Sequence, residues 1–407
     1  MCQGRWAIRS INRMFRKFKT KYFSGLTRNS VLIACASLFS DISTEMLYPI
    51  LPVYLTQYLK ASGGVVGLVE GGAQAMQNII QGLSGYLSDK WQKRKPLALF
   101  GYVLSAVSKP FMGVATTWPG VFAARLTDRL GAGTRAAPRD ALIAASVDPA
   151  NRGKAFGLEG FGDNLGAFIG PLVTVGLFFA LALPIRYIFY LAIIPGSLAV
   201  LMMILVKEKA VHIKSGIDIR LRHFPKAYWK YLFVIAVFGI GNSTNSFLIL
   251  LVRDKGLSLV NVILVYAGFN LVAALVSYPA GSLSDRFGRK PLLLASFVIF
   301  LACYSLFAFA SGALLMAMLF IFYGAFQGIF RAVGKSFAAD FVPEHLRASS
   351  IGWYATVVGL SGLAASIIAG QLWDHVSHAA VFIYGAVLSF LAIILLLALN
   401  TGKRRRH

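Results

Sequence analysis

The sequence predicts an all-α polytopic membrane protein with twelve transmembrane helices in two pseudo-symmetric six-helix bundles. Hydrophobic residues make up 57% and charged residues 14% of the 407 residues, and the mean hydropathy is +0.67. Soluble globular domains carry about 25% charged residues, so this composition argues against that class. A motif also recurs half a chain apart, which predicts two similar halves.

Twelve apolar runs are long enough to cross a hydrocarbon core of about 30 Å. The runs of the N-terminal bundle, residues 30–207, are 30–58, 64–88, 96–117, 119–146, 155–181 and 185–207. Those of the C-terminal bundle, residues 229–399, are 229–252, 258–284, 291–310, 312–341, 347–373 and 378–399. Residues 208–228 are therefore expected to form a linker between the bundles.

The motif that recurs is short and charged. Residues 85–96 read GYLSDKWQKRKP and residues 281–291 read GSLSDRFGRKP, and each copy follows one apolar run and precedes the next. A second echo lies at nearly the same offset, because VDPANRGKAFG around Arg152 aligns with VPEHLRASSIG around Arg347. Two matches at one offset indicate an internal duplication.

These residues carry a resemblance to a known family. The second copy resembles the cytoplasmic loop between helices 2 and 3, or 8 and 9, of the major facilitator superfamily. The stretch 128–142, DRLGAGTRAAPRDAL, is similar to a bacterial subgroup of mostly uncharacterised transporters. As a whole the chain resembles the bacterial drug/solute:proton antiporter-like members of that superfamily. The resemblance implies a secondary transporter in which the two bundles rock about a central site. It also implies a gating role for Asp89, Asp285, Arg286 and Arg289.

The basic residues are distributed asymmetrically. If the N-terminus is cytoplasmic, the opposite side holds only Lys60, Arg186, Arg253 and Lys255. This positive-inside pattern predicts a multi-pass protein of the bacterial cytoplasmic (inner) membrane with both termini in the cytoplasm. The net charge of +24 then indicates anionic membrane lipid as a partner, and not nucleic acid.

The two ends of the chain are strongly basic. Residues 1–29 show apolar positions at steps of three and four, which predicts an amphipathic cytoplasmic helix on the membrane surface. A disordered basic tail that only orients the first helix, and a mitochondrial transit peptide, are the alternatives. Residues 400–407 are expected to be a basic cytoplasmic tail.

Polar side chains recur inside several of the apolar runs. Spacings of three and four residues place them on one face of a helix, and lipid offers such groups no partner. A charged side chain in lipid costs about 2.5 kcal/mol even on the mildest scale, so these groups must pair or line a wet cavity. A purely structural salt-bridge network is the alternative to a functional role.

We expect these polar groups to have two roles. Because the fourth helix of the superfamily carries an arginine linked to proton coupling, the resemblance points to Arg125, with Arg129 as the second candidate. The proton-coupling candidates are Asp41, Glu45, Glu159, Asp163, Arg125 and Arg129. The candidates for lining the substrate cavity are Tyr48, Glu70, Gln74, Gln77, Asn242 and Asn245.

Glycines mark the fifth apolar run. The stretch 166–171, GAFIGP, is similar to the fifth-helix motif of antiporters, although Thr174 and Val175 stand where two more glycines are typical. Gly162, Gly166 and Gly170 also share one helix face, and simple close packing of two helices explains that spacing equally well.

Other chemistries find little support in the sequence. The stretch 374–378, DHVSH, is either a metal site or a solvated outer loop, and we expect the loop. The three cysteines form no pairable set. The sequence shows neither a nucleotide-binding loop nor a nucleophile–base arrangement, so we expect no cofactor, no metal and no enzymatic activity. We also expect the protein to be a monomer.

The expected function is proton-coupled export of a small organic compound by alternating access. Proton-coupled uptake on the same fold is the first alternative. A receptor or assembly protein that does not transport is an alternative from a different class.

The repeated loop generates a prediction about gating. The resemblance implies that Asp89 caps the start of the eleventh helix near Ser349 and Ser350, and Asp285 that of the fifth near Lys154. An anion at a helix N-terminus contributes about 0.3 to 1 kcal/mol, so Asp89→Asn should favour opening to the cytoplasm. Single cysteines engineered into the cavity should then label faster from the cytoplasmic side, and unchanged labelling would contradict the gate.

Overall fold

The computed structural model describes residues 25–91, 93–148, 151–208, 224–310, 312–343 and 346–399. The secondary-structure elements in these ranges are helices, which confirms the predicted all-α membrane fold. The amphipathic segment up to residue 24, most of the linker and the tail from residue 400 lie outside the described residues. The same holds for the side chains of Asp89 and Asp285, so the predicted capping contacts stay predictions.

Twelve helical segments coincide with the twelve apolar runs to within a few residues. In the first half α1 is Arg28–Glu45, continued by Leu51–Val53 and a π-helical turn Tyr54–Tyr58; α2 is Gly63–Trp91, α3 Arg94–Val114, α4 Trp118–Ser146, α5 Arg152–Leu181, and α6 Ile185–Leu191 with Ile193–Leu205. In the second half α7 is Lys226–Gly241 with Ser246–Asp254, α8 Leu259–Phe287, α9 Arg289–Phe309, α10 Ala313–Asp340, α11 Arg347–His375 and α12 His378–Ala398.

Length and composition alone do not confirm the count of twelve. Among the described residues, nine helices are long and apolar enough to cross a membrane. The segments α1, α2 and α4 are not among them, because polar and charged residues inside these helices lower their mean hydropathy. These three segments carry most of the polar residues singled out from the sequence.

Local sequence explains where several helices begin. Thr27 and Ser30 form a capping box at the start of α1. Ser258 and Ser377 accept hydrogen bonds from backbone N–H groups three residues on, at the starts of α8 and α12. α1 is interrupted after Glu45, where Pro49 removes a backbone donor.

The two halves repeat the same helix neighbours. In the first half α3 packs on α4, α2 on α4, α1 on α5, α1 on α6, and α3 on α6. The equivalent pairs in the second half are α9 with α10, α8 with α10, α7 with α11, α7 with α12, and α9 with α12. Contacts of α2 with α11 and of α5 with α8 then join the halves. This arrangement confirms two pseudo-symmetric bundles.

The helices run between two ends of the molecule, the linker face and the far face. The linker face is the end at which α6 finishes and α7 begins. The far face is the opposite end, at which α1 finishes and α2 begins.

Glycines allow close approach of two helix pairs, α1 with α5 inside the first half and α2 with α11 between the halves. A Cβ atom at Gly162, Gly166 or Gly170 of α5 would lie 2.6–2.9 Å from a backbone carbonyl oxygen of α1. A Cβ at Gly67 of α2 would collide with the carbonyl oxygen of Ser366 on α11. Small residues therefore set the separation of α1 from α5 and of α2 from α11.

We predict that Gly166→Val destabilises the fold. The valine side chain would press on α1 beside Leu38 and Asp41, and overpacking of this kind costs about 1–3 kcal/mol. Thermal unfolding of the purified protein in detergent measures the effect. Gly176→Val on the same helix is the matched control, because a Cβ at Gly176 meets no atom within 4 Å; equal losses in both variants would contradict the prediction.

Candidate functional site

The first group of buried charges is centred on Arg125 of α4 and is called the Arg125 cluster. Its guanidinium donates to both carboxylate oxygens of Glu70 on α2, each at 3.0 Å, and to Asp128 at 3.2 Å. Arg129 lies 3.3 Å from Asp128, and Lys109 of α3 lies 3.8 Å from it. The bidentate geometry to Glu70 is the strongest form of arginine–carboxylate pairing.

The Arg125 cluster is almost completely removed from solvent. The side chains of Lys109, Arg125 and Asp128 are each 1% exposed. Two further hydrogen bonds hold the cluster: Ser105 donates to Asp128 at 2.6 Å, and Lys109 donates to Ser43 of α1 at 2.8 Å. The cluster therefore ties α1, α2, α3 and α4 together.

A second group, the Arg139 cluster, lies closer to the linker face. Arg139 of α4 is 2.7 Å from Glu159 and 3.8 Å from Asp163, both on α5. It also donates to Ser37 of α1 at 3.0 Å, and Ser37 donates to Glu159 at 3.1 Å. Asp41, one turn beyond Ser37, is subject to the charges of Asp163 and Arg139. The polar stripe of α1 thus faces α4 and α5, as lipid exclusion requires.

Arg135 lies on α4 between the two clusters. Its guanidinium carbon is 4.8 Å from the centre of the Tyr102 ring of α3, a cation–π contact. Its Nη1 has no hydrogen-bond partner among the described residues, although the side chain is buried. The charges of Arg135 and Arg139 both act on Asp41.

A junction between the two halves follows on from these clusters along α1. Tyr266 of α8 donates a hydrogen bond of 2.9 Å to Glu45, and the rings of Tyr48 and Tyr266 stack with centroids 5.1 Å apart. Tyr48 also hydrogen-bonds Thr244 of α7 at 3.3 Å, and the Arg125 guanidinium lies 5.8 Å from the centre of its ring. Polar groups of both bundles therefore meet beside the first charge cluster.

The other residues predicted to line the cavity occupy different places. Gln77 accepts a hydrogen bond of 3.1 Å from Arg129, and Gln74 is exposed and donates to Asn78 at 3.3 Å. Asn242 accepts from Tyr323 at 3.3 Å within the second half. Asn245 is partly buried where the second part of α7 begins.

The structure also describes part of the gating loop. Arg289 lies 3.3 Å from Asp340 of α10 at the linker face. Arg286 is exposed, and its guanidinium carbon lies 5.5 Å from the centre of the Phe287 ring. Both contacts are within the second half.

Sequence reasoning missed three contributors to these sites. Lys109 was visible as a charge inside an apolar run, but its contact with Ser43 depends on how α3 is rotated. Tyr266 lies within an apolar run, and nothing in the sequence around it indicates its hydrogen bond to Glu45 of the other half. Asp374, expected in a solvated loop, accepts backbone hydrogen bonds of 2.7 Å from both Gly63 and Gly64 of α2. Among the described residues, no group of three or more His, Cys, Asp or Glu is placed to hold a metal.

Comparison with known proteins identifies the family. The Major Facilitator Superfamily model matches residues 33–267 and again residues 231–407. An uncharacterized MFS-type transporter of Methanocaldococcus jannaschii is 33% identical over 382 residues, covering 91% of this chain and 95% of that protein. The chain belongs to the major facilitator superfamily. It is therefore a multi-pass secondary transporter for small molecules and not an enzyme.

Other relatives differ in what their names describe. A probable 4-methylmuconolactone transporter of Cupriavidus pinatubonensis is 28% identical over 340 residues, covering 79% of this chain and 77% of that protein. The class B tetracycline resistance protein of Escherichia coli is 34% identical over 116 residues, which is 28% of this chain and 29% of that protein.

Solved structures of this superfamily share the fold at low sequence identity. The nucleoside transporter NupG superposes with a TM-score of 0.75 at 17% identity, covering 93% of this chain and 100% of NupG. A D-xylose–proton symporter superposes with a TM-score of 0.74 at 16% identity, covering 92% and 97%. At these identities the likeness shows the fold alone.

We predict that Glu70→Gln lowers the free energy of unfolding by about 3–5 kcal/mol, because it leaves Arg125 buried without its bidentate partner. Chemical or thermal unfolding in detergent measures the loss. Asp254→Asn is the control, since Asp254 and His378 are each more than 40% exposed and lie 3.5 Å apart. An exposed pair contributes only about 0–1 kcal/mol, so similar losses in the two variants would contradict the prediction.

Proposed function

We propose that the protein exports a small organic compound in exchange for protons, by alternating access of a site between its two halves. The observation that carries this proposal is the excess of acids over bases among the buried and partly buried charged residues inside the helices of the first half, beside a polar junction of both halves. The proposal places the linker face in the cytoplasm, in line with the positive-inside asymmetry. It also takes the protein to be a monomer of a bacterial inner membrane with anionic lipid around its basic loops.

The charge balance of the first half calls for one proton. Leaving out the helix ends and Asp140, whose side chain is 44% exposed, the segments α1 to α5 contain six acids and five bases: Asp41, Glu45, Glu70, Asp128, Glu159 and Asp163 against Lys109, Arg125, Arg129, Arg135 and Arg139. With every group ionised, one negative charge would be left without a counter-ion in a medium where such a charge is costly. A single bound proton makes the set neutral.

The Arg139 cluster is the best place for that proton. Two carboxyl groups, those of Glu159 and Asp163, lie within 4 Å of Arg139, and the charges of Asp163, Arg135 and Arg139 act on Asp41. Carboxylates held close together cannot all ionise without repulsion, and they share protons for this reason. The Arg125 cluster is less suited, because its two acids are fully paired with three bases.

Asp41 is the acid we assign to proton transfer. The structure describes no hydrogen bond to its carboxyl group, whereas Glu159 is bound by both Arg139 and Ser37. Asp41 lies on α1 one turn from Glu45, which meets Tyr266 of the other half. A change of protonation at Asp41 therefore changes the charge of the same helix that contacts the second bundle.

The junction of Glu45, Tyr48, Thr244 and Tyr266 is the proposed substrate site. It combines a carboxylate, hydroxyl groups and two stacked rings from both bundles. Such a mixture of apolar surface and a few oriented polar groups is typical of small-molecule sites. Asn242 and Tyr323 extend the polar surface on the side of the second half.

Export is favoured over uptake by two observations. One is the partial match of the α5 glycine motif to antiporters. The other is the sequence match to a protein named for tetracycline resistance, a property that export would confer. Uptake coupled to protons is the second candidate, because the longer match is to a protein named as a probable 4-methylmuconolactone transporter and not for resistance. A substrate panel in proteoliposomes with an imposed pH gradient of either sign separates the two.

Asp41→Asn tests the proton assignment. The amide mimics the protonated acid, so gradient-driven transport should fall by at least tenfold while substrate binding or substrate–substrate exchange persists. Proteoliposomes loaded with substrate, with and without a pH gradient, measure both activities. Accumulation against the gradient with the normal pH dependence would show that Asp41 has only a structural role.

The matched control for this experiment is Asp140→Asn. Asp140 contacts the same arginine, Arg139, at 3.1 Å, but it is 44% exposed at the end of α4. The proposal expects near-normal coupling in this variant, because solvent already screens that carboxylate. Equal loss of coupling in both variants would point to Arg139 itself, and not to the proton on Asp41.

A further inference from the structure

The far face is joined across the two halves by one carboxylate. Both oxygens of Asp374, near the end of α11, accept hydrogen bonds of 2.7 Å from the backbone N–H groups of Gly63 and Gly64. These are the first two residues of α2, where N–H groups have no partner within the helix. The carboxylate of one bundle therefore caps a helix of the other, with the favourable sign of the helix dipole.

The backbones of α2 and α11 approach each other closely at this point. A Cβ at Gly370 would lie 2.5 Å from Cα of Gly64, and a Cβ at Gly63 would lie 2.7 Å from the ring of Trp373. Only glycine on both sides permits this approach. The short separation lets Asp374 reach two N–H groups at once.

The end of α11 is held firmly within its own half. The ring of Trp373 packs against the ring of Phe247 of α7, with centroids 5.6 Å apart, and stacks on the ring of His378 of α12, with centroids 3.9 Å apart. His378 in turn lies 3.5 Å from Asp254 at the end of α7. The carboxylate of Asp374 is thus fixed to the second bundle and would leave α2 as part of a rigid body.

We propose that Asp374, Gly63 and Gly64 form a latch that holds the far face closed and is released each time the transporter opens on that side. This inference rests on the alternating access proposed above. The latch is releasable because its outer hydrogen bond, to Gly64, is exposed, so water can replace the carboxylate at little cost.

The latch can be tested by measuring distance across the far face. Spin labels are attached to Gln57→Cys and Val376→Cys, two exposed positions on different halves, after Cys2, Cys35 and Cys303 are replaced by serine. Double electron–electron resonance then gives the ratio of long to short distances. Because two charge-assisted hydrogen bonds are lost, Asp374→Ala should raise this ratio about tenfold, and Asp374→Asn, which keeps one acceptor, by a smaller factor.

Two further variants decide how a shift is interpreted. Gly370→Ala keeps the carboxylate but forces the backbones apart, so it should raise the ratio as well. Asp254→Asn removes a carboxylate on the same face whose described partner, His378, is in its own half, so it should leave the ratio unchanged. Unchanged distances in Asp374→Ala and Asp374→Asn, or an equal shift in Asp254→Asn, would overturn the latch.

This experiment uses neither substrate nor a pH gradient. A failure of proton-coupled export in proteoliposomes would therefore leave the measured ratio unaffected. Conversely, a failure of the latch would leave the assignment of Asp41 untouched.

Discussion

The pairing of Arg125 with Glu70 and Asp128 is the constraint on which the first half depends. An arginine that is 1% exposed within the membrane is tolerable only with acids on both sides of its guanidinium. Glu70 holds α2 against Arg125 of α4, and Asp128 of α4 holds Lys109 of α3. Removing one member would leave a charge where neither lipid nor water compensates it. The rotation of three helices is thereby fixed by a single side chain.

The second half reaches the same arrangement of helices with different chemistry. Its core is aromatic: the rings of Phe238 and Phe297 stack at 4.0 Å, and those of Phe300 and Tyr304 at 3.9 Å. Stacked rings tolerate burial without counter-charges. The two halves of the duplicated fold therefore differ in their cores, since the first buries several ionisable groups and the second buries mainly aromatic rings.

The helices were predictable from the sequence, because the thickness of the hydrocarbon core fixes how long an apolar run must be. The faces were predictable too, since Asp41, Glu45 and Tyr48 recur at helical spacing. Which acid meets which base was not predictable. Arg125 and Arg129 were the arginines expected in proton coupling, yet Arg125 pairs with Glu70 and it is Arg139 that lies beside Glu159 and Asp163. Asp374 was missed because its partners are backbone groups that no side-chain pattern reveals.

The polar stripe of α1 contacts both charge clusters and the junction between the two halves. Ser37 contacts the Arg139 cluster, Ser43 binds Lys109, Glu45 binds Tyr266, and Tyr48 lies between Arg125 and Thr244. Glycines of α5 leave this helix little room to adjust at any one point. Substitutions along it should therefore be strongly epistatic, with double-mutant energies far from the sum of the single ones. Evolution of a new substrate preference would then require linked changes on one helix and not independent steps.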